Sequence, residues 1–248
     1  MSTSQQPSRT AIVTGASGGI GGAVARRLAA DGQAIVAAYA GNAEPAAALV
    51  AAIEADGGRA TAAGGDLATP DGASALFDAA EREFGGVDVV VHAAGVMPQP
   101  TPLADFDWEQ IERTIRVNAL GTLAIAQQAV RRLRDGGALI TFSSSIPALG
   151  FPGYGPYSAS KGAVEALTLI LARELRGRDV TVNCVAPGPT ATPLFLDGKD
   201  EATIARLAAQ PPLERLGQPE DAAELVSFLA GPGRWVNGQV VRVNGGIV

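Results

Sequence analysis

The sequence predicts an α/β protein with one doubly wound sheet of seven parallel strands and helices on both faces. Three observations carry this. Short β-rich runs alternate with longer helical segments along all 248 residues, with no composition break or linker to mark a second domain. Strands such as VDVVVHAAG (87–95) are apolar almost throughout, so neither face suits water and both must be covered by helices. The first strand also runs directly into a glycine-rich turn, TGASGGIG (14–21), which opens a helix.

In chain order, the strand runs are 10–15, 34–39, the weaker 59–66, 87–95, 137–144, 179–188 and 238–246. Helical spacing fills 20–31, 44–56, 71–84, 107–134, 156–177 and 219–230. Asp31-Gly32 and Asp56-Gly57 close two helices with a glycine able to turn left-handed. Pro219-Glu220-Asp221 opens the last helix with a proline and acids in its first turn. The stretch 186–213 has neither pattern, and a loop of that length in a compact domain reads as a functional flap, expected over about 188–213.

Composition excludes several functions. The apolar content of 47% rules out a chain that is mainly disordered. A net charge of −6 without a basic run gives nucleic acid nothing to bind. No apolar run reaches the roughly 20 residues of a membrane span, and the polar start MSTSQQPSRT lacks the pattern of a secretory leader. The one cysteine, Cys184, cannot form an internal disulfide and fits a reducing compartment, so a cytoplasmic protein is expected. The one histidine, His92, leaves no His/Cys metal cluster and precedes any nucleophile it could serve in a hydrolytic triad.

Gly15, Gly19 and Gly21 lie between a strand and a helix, where a phosphate can meet backbone N–H groups. Their G-x-x-x-G-x-G spacing departs from G-x-G-x-x-G, and tight packing alone would also explain it. Further along, Tyr157 and Lys161 in YSASK are four apart, so a helix would present them on one face. An ammonium near a phenol favours the phenolate and draws its pKa toward the working range.

TGASGGIG, NALGT, ITFSSS, YSASK and VAPGPTATPLF, in that order, resemble the motifs of the single-domain short-chain dehydrogenase/reductase family, and of its 3-oxoacyl-carrier-protein reductase-like members. The resemblance runs from Thr10 to Val248 and implies a Rossmann-like fold binding a nicotinamide dinucleotide. It assigns to the cofactor the turn residues Gly15, Ser17, Gly18, Gly19, Ile20 and Gly21. It adds Ala93, Ala94 and Gly95 after the fourth strand, and Pro187, Gly188, Thr190 and Thr192 after the sixth. Asp66 and Leu67 match the positions that contact adenine, although Asp66 could instead cap the helix beginning near Pro70.

At the end of the second strand the sequence reads Tyr39, Ala40, Gly41, Asn42, with no carboxylate to repel a 2′-phosphate. That favours NADP(H) over NAD(H). Gly18, where many NADP-using members carry a base, argues the other way. HAAG replaces the usual NNAG, so His92 and Ala93 are expected to lose side-chain bonds that tie neighbouring strands.

The resemblance makes Tyr157 the proton donor to a carbonyl and Lys161 its tuner and a ligand of the nicotinamide ribose. Ser144 would bond the substrate oxygen, with Ser143 and Ser145 pointing away from it. Asn118 would disturb its helix and help hold a water leading from Lys161. Each residue alone also has a plain structural reading, as a strand end, a helix cap or a solvated face. Met97, Pro98, Phe151, Tyr154, Leu194 and Phe195 are candidate pocket walls. Their character suits an apolar ketone or a 3-oxoacyl compound, and ordinary packing would account for any one of them.

The helices 107–134 and 156–177 are those the family uses to form dimers or tetramers, so a homo-oligomer is expected. Two alternatives stand beside the reductase: an NAD-dependent alcohol dehydrogenase working oxidatively, and a nucleotide sensor without turnover.

Overall fold

The computed structural model describes residues 9–248. The part of the polar start read for a leader, residues 1–8, lies outside them. The strands are β1 (Thr10–Thr14), β2 (Ala34–Tyr39), β3 (Arg59–Gly64), β4 (Val87–His92), β5 (Leu133–Phe142), β6 (Thr181–Pro187) and β7 (Val240–Val243). They form one sheet in the order β3-β2-β1-β4-β5-β6-β7, and every pairing is parallel. The order reverses between β1 and β4, so a crevice opens at their carboxyl ends.

The helices are α1 (Gly19–Ala30), α2 (Glu44–Ala55), α3 (Pro70–Phe84), α4 (Trp108–Ile115), α5 (Gly121–Arg132), α6 (Ile146–Leu149), α7 (Gly155–Glu174), α8 (Pro193–Leu196), α9 (Glu201–Ala208) and α10 (Pro219–Ala230). Alternation along the strands feeds two cores. Ala11, Val13, Val89, Val91 and Ile140 pack with Val24 and Leu28 of α1 and Val226 and Leu229 of α10. Ile12, Val36, Val90, Leu139 and Val182 pack with Leu76 and Phe77 of α3, Ile125 of α5 and Leu171 of α7.

Three expectations are corrected. The helix read over 107–134 is two helices separated by a π-helical turn, Arg116–Leu120, and β5 begins at Leu133 instead of 137. The strand read over 238–246 is only Val240–Val243. The stretch read as a long irregular flap carries α8 and α9, capped by the side chains of Thr192 and Asp200. These helices are too short for their periodicity to register in sequence.

Gly21 shows how tightly the first turn is built. A Cβ there would lie 2.3 Å from the Gly15 carbonyl oxygen, whereas one on Gly18 would meet nothing within 4 Å. Gly21→Ala should therefore cost about 3 kcal/mol, as overpacking against fixed backbone does. Gly18→Ala, on extended backbone, should stay within about 0.5 kcal/mol of wild type. Urea unfolding of both variants checks the contrast.

Candidate active site

The site begins at the amino end of α7. Gly155-Pro156 starts the helix, since proline lacks the N–H that a first turn leaves unpaired. Tyr157 and Lys161 follow on one face, both buried. Lys161 Nζ lies 5.8 Å from the centroid of the Tyr157 ring and donates to the Phe142 carbonyl at 2.9 Å. The Tyr157 ring shares one cavity with Ser144, just beyond β5, whose Oγ accepts from Ile146 N at 3.2 Å.

Of the three serines, Ser144 is the one left partly exposed. Ser143 donates to Glu165 Oε1 at 2.7 Å, and Ser145 accepts from Asn244 Nδ2 at 3.0 Å. Both neighbours are thus held by protein groups, although they line the same cavity as Ser144, because the three serines lie beyond the end of β5 where strand alternation no longer applies.

The charge states run against the sequence expectation for the tyrosine. Burial pushes the Tyr157 phenol up to about 12; the nearby Ser144 hydroxyl pulls it down and Tyr154 adds to the rise. Burial lowers Lys161 to about 8, opposed by Cys184. Lys161 is therefore not drawing the phenol toward neutrality in this arrangement, because desolvation disfavours the charged form of both groups.

Asn118 sits in the π-helical turn, a one-residue irregularity common at functional sites. Its Nδ2 donates to the Val96 carbonyl at 2.9 Å and to Ser160 Oγ at 3.0 Å, and its Oδ1 accepts from Val96 N at 2.8 Å. The Asn118 carbonyl accepts from Thr122 Oγ1 at 2.6 Å. The side chain thus fastens the exit of β4 to α7.

His92 overturns another expectation. Its Nδ1 lies 2.9 Å from Thr14 Oγ1, which also accepts from Ala94 N at 3.1 Å. HAAG therefore keeps a side-chain tie between β4 and β1. The ring is buried and neutral, its pKa lowered to about 3 by desolvation first and Lys161 second.

A cavity of about 160 Å³, room for a small organic molecule rather than one water, opens beside Ser144 and Tyr157. Met97, Phe151, Tyr154, Leu194 and Phe195 line it as expected, and Pro98 is not part of its lining. Ile20, Ala93, Gly95, Pro187, Gly188, Thr190 and Thr192 form the side toward β1, β4 and β6. Sequence reading missed Ile146, Leu149, Leu207 and Ile247, four apolar walls brought in from α6, α9 and the chain end. The apolar character of α6 and α9 was visible, but nothing local showed where it pointed.

The remaining dinucleotide residues lie along the crevice away from this cavity. Gly15 (φ 67°) and Gly19 (φ 53°) hold left-handed backbone, and a Cβ on Gly15 would be 2.9 Å from Ala94 N. Beside Gly18 and Gly41 there is open space. Such bare backbone, with Ser17 and Ile20 in the same turn, fits a pyrophosphate at the start of α1. Tyr39, Ala40 and Asn42 end β2, and Asn42 Oδ1 accepts from Glu44 N, which leaves its amide donors for a ligand. Asp66 Oδ1 accepts from Ala68 N, while Thr69, not Asp66, caps α3. Leu67 packs against the core beside them.

Residues 15–248 match the family model described as enoyl-(acyl carrier protein) reductase. A short-chain type dehydrogenase/reductase of Picea abies is 47% identical over 97% of this chain and 92% of its own length. The chain belongs to the short-chain dehydrogenase/reductase family. It is an oxidoreductase that interconverts C=O and CH–OH with a nicotinamide cofactor. A chloroplastic NADPH-dependent aldehyde reductase-like protein of Arabidopsis thaliana is 41% identical over 97% of this chain and 94% of its own. The structure of an angucycline C-6 ketoreductase with bound NADP superposes with a TM-score of 0.90, at 34% identity, over 96% of this chain and 95% of that one. Among the described residues no helix is long and apolar enough to cross a membrane, and no His/Cys/Asp/Glu group could hold a metal ion.

The state of His92 has a consequence for this reductase fold. With its pKa lowered to about 3 from 6.5, the unfolded chain takes up the proton first as pH falls. Stability present above pH 6.5 is lost toward pH 3, at up to about 1.4 kcal/mol per pH unit. Urea midpoints of wild type between pH 7 and pH 4 should fall more steeply than those of His92→Asn.

Proposed function

We propose that the protein is an NADPH-dependent reductase of an apolar ketone or 3-oxoacyl carbonyl, with Tyr157 as the proton donor. The observation that carries this is the placing of Ser144 and Tyr157 together at the wall of an apolar cavity, with Lys161 one helical turn further along α7. Two acid hydroxyls there can converge on one carbonyl oxygen.

Bound NADPH supplies the hydride for the carbonyl carbon. Tyr157 gives its phenolic proton to the oxygen on which negative charge develops, and Ser144 holds that oxygen in line. Lys161 offers a cation to the nicotinamide ribose and to the phenolate left behind. Asn118 contributes by fixing Val96 and Ser160, and so the entry to α7. The acid-free end of β2 and the amide of Asn42 support NADP(H) over NAD(H), as do the NADPH-dependent name of the Arabidopsis relative and the NADP in the ketoreductase structure. Exposed Leu123 on α5 and Leu169 and Ile170 on α7 support association of copies through those helices. The single buried thiol of Cys184 suits a reducing compartment.

Removing the acid should be severe. Tyr157→Phe is expected to lower kcat by about a hundred- to ten-thousand-fold, with NADPH binding retained by fluorescence titration. Intact turnover would end the role given to Tyr157, and faster initial rates with NADH would end the cofactor assignment.

The pH profile tests the lysine separately. Tyr157, raised to about 12, stays protonated through the working range, whereas Lys161, lowered to about 8, loses its charge first. The rate of carbonyl reduction should hold below pH 7 and fall with an apparent pKa near 8, as measured by NADPH oxidation in buffers from pH 6 to 10.

A further inference from the structure

Among the hydroxyls lining the cavity outside the proposed Ser144–Tyr157 pair, one has no partner in the protein. Ser143 and Ser145 are engaged with Glu165 and Asn244, Thr190 donates to Gly188 O at 3.0 Å, and Thr192 accepts from Phe195 N at 3.2 Å. Ser144 accepts from Ile146 N at 3.2 Å, and Tyr157 beside it is the proposed proton donor. The Tyr154 hydroxyl has no hydrogen-bond partner in the protein, although its residue is partly buried in the cavity wall.

Its position is fixed by backbone. Tyr154 is the N-cap residue of α7, and its carbonyl accepts from Ser158 N at 2.7 Å. The preceding Gly153 is left-handed (φ 86°), and its carbonyl accepts from Thr101 N at 3.0 Å. A Cβ on Gly153 would lie 3.0 Å from Thr101 N, so the turn is pressed against the loop after β4. The Tyr154 ring then meets the Tyr157 ring edge-on, with centroids 6.4 Å apart and planes at 61°.

A hydroxyl carried on so fixed a turn into a largely apolar cavity, with no partner supplied by the protein, fits a ligand that brings the partner. We propose that Tyr154 is a specificity-determining residue whose hydroxyl bonds a second oxygen of the substrate. Burial keeps this phenol protonated, which makes it a donor to a hydroxyl, ether or carbonyl oxygen. With the two rings one helical turn apart, that oxygen belongs to the same compact body as the reacting carbonyl. The substrate class is then an oxygenated cyclic or aryl ketone rather than a plain hydrocarbon ketone.

This inference rests on the reductase reading, and one experiment separates the two. The ratio of kcat/KM for 4-hydroxy-1-tetralone to that for 1-tetralone is measured with NADPH for wild type and for Tyr154→Phe. NADPH titration on the same preparations reports an intact fold. Wild type should prefer the hydroxylated ketone, and the variant should lower the ratio about five- to tenfold, the worth of one neutral hydrogen bond. The loss should come mainly as a higher KM for 4-hydroxy-1-tetralone. A ratio that is the same in both proteins, with both ketones reduced, overturns the role of Tyr154 and leaves the reductase reading standing. Failure of wild type to reduce either ketone, or any member of a wider ketone and acyl thioester screen, overturns both.

Discussion

Keeping a lysine almost wholly out of water is the constraint around which this site is arranged. A buried ammonium is costly unless polar groups meet it. Lys161 finds the Phe142 carbonyl at the end of β5, which it reaches because the first turns of α7 lie beside that strand end. Gly95 gives room on the other side: a Cβ there would lie 3.3 Å from Nζ and 3.1 Å from Asn118 Oδ1. Asn118 in turn reaches Val96 and Ser160 from the π-helical turn between α4 and α5. The irregular helix, the glycine after β4 and the position of Tyr157 one turn before Lys161 are thus parts of a single packing solution.

Much of this was legible in the sequence, for identifiable reasons. Seven strands and most helices could be read because a parallel sheet buried on both faces leaves continuous apolar runs, and because Asp31-Gly32 and Pro219-Glu220-Asp221 punctuate helix ends by local chemistry. Tyr157, Lys161 and Ser144, which line one cavity in the structure, could be singled out because the chemistry proposed for them demands residue types at set spacings. The π-helical turn could not: 107–134 has unbroken helical character, and the extra residue is stabilised by Asn118 reaching Val96, far along the chain. His92 was misread for a similar reason. Its type suggested a lost amide bond, but only the parallel register that sets Thr14 beside it shows that imidazole Nδ1 makes the tie instead. The cavity walls Leu207 and Ile247 come from α9 and the chain end, and nothing in their local sequence says that they meet.

The electrostatics carry the reading from geometry to chemistry. Burial lifts Tyr157 and lowers Lys161, so the pair is poised with the proton on the phenol and the charge on the lysine weakly held. For the reduction proposed here that is the useful starting state, since the carbonyl oxygen would need a proton only as hydride arrives. The same low-dielectric surroundings that make a resting phenolate unfavourable strengthen its attraction to Lys161 once the proton has left. In the proposed step Ser144 would act at both ends: its hydroxyl already lowers the phenol's pKa, and it could follow the developing alkoxide. The interaction that sequence suggested, a cation tuning a phenol, therefore has its greatest force during the reaction, when the charge it answers exists.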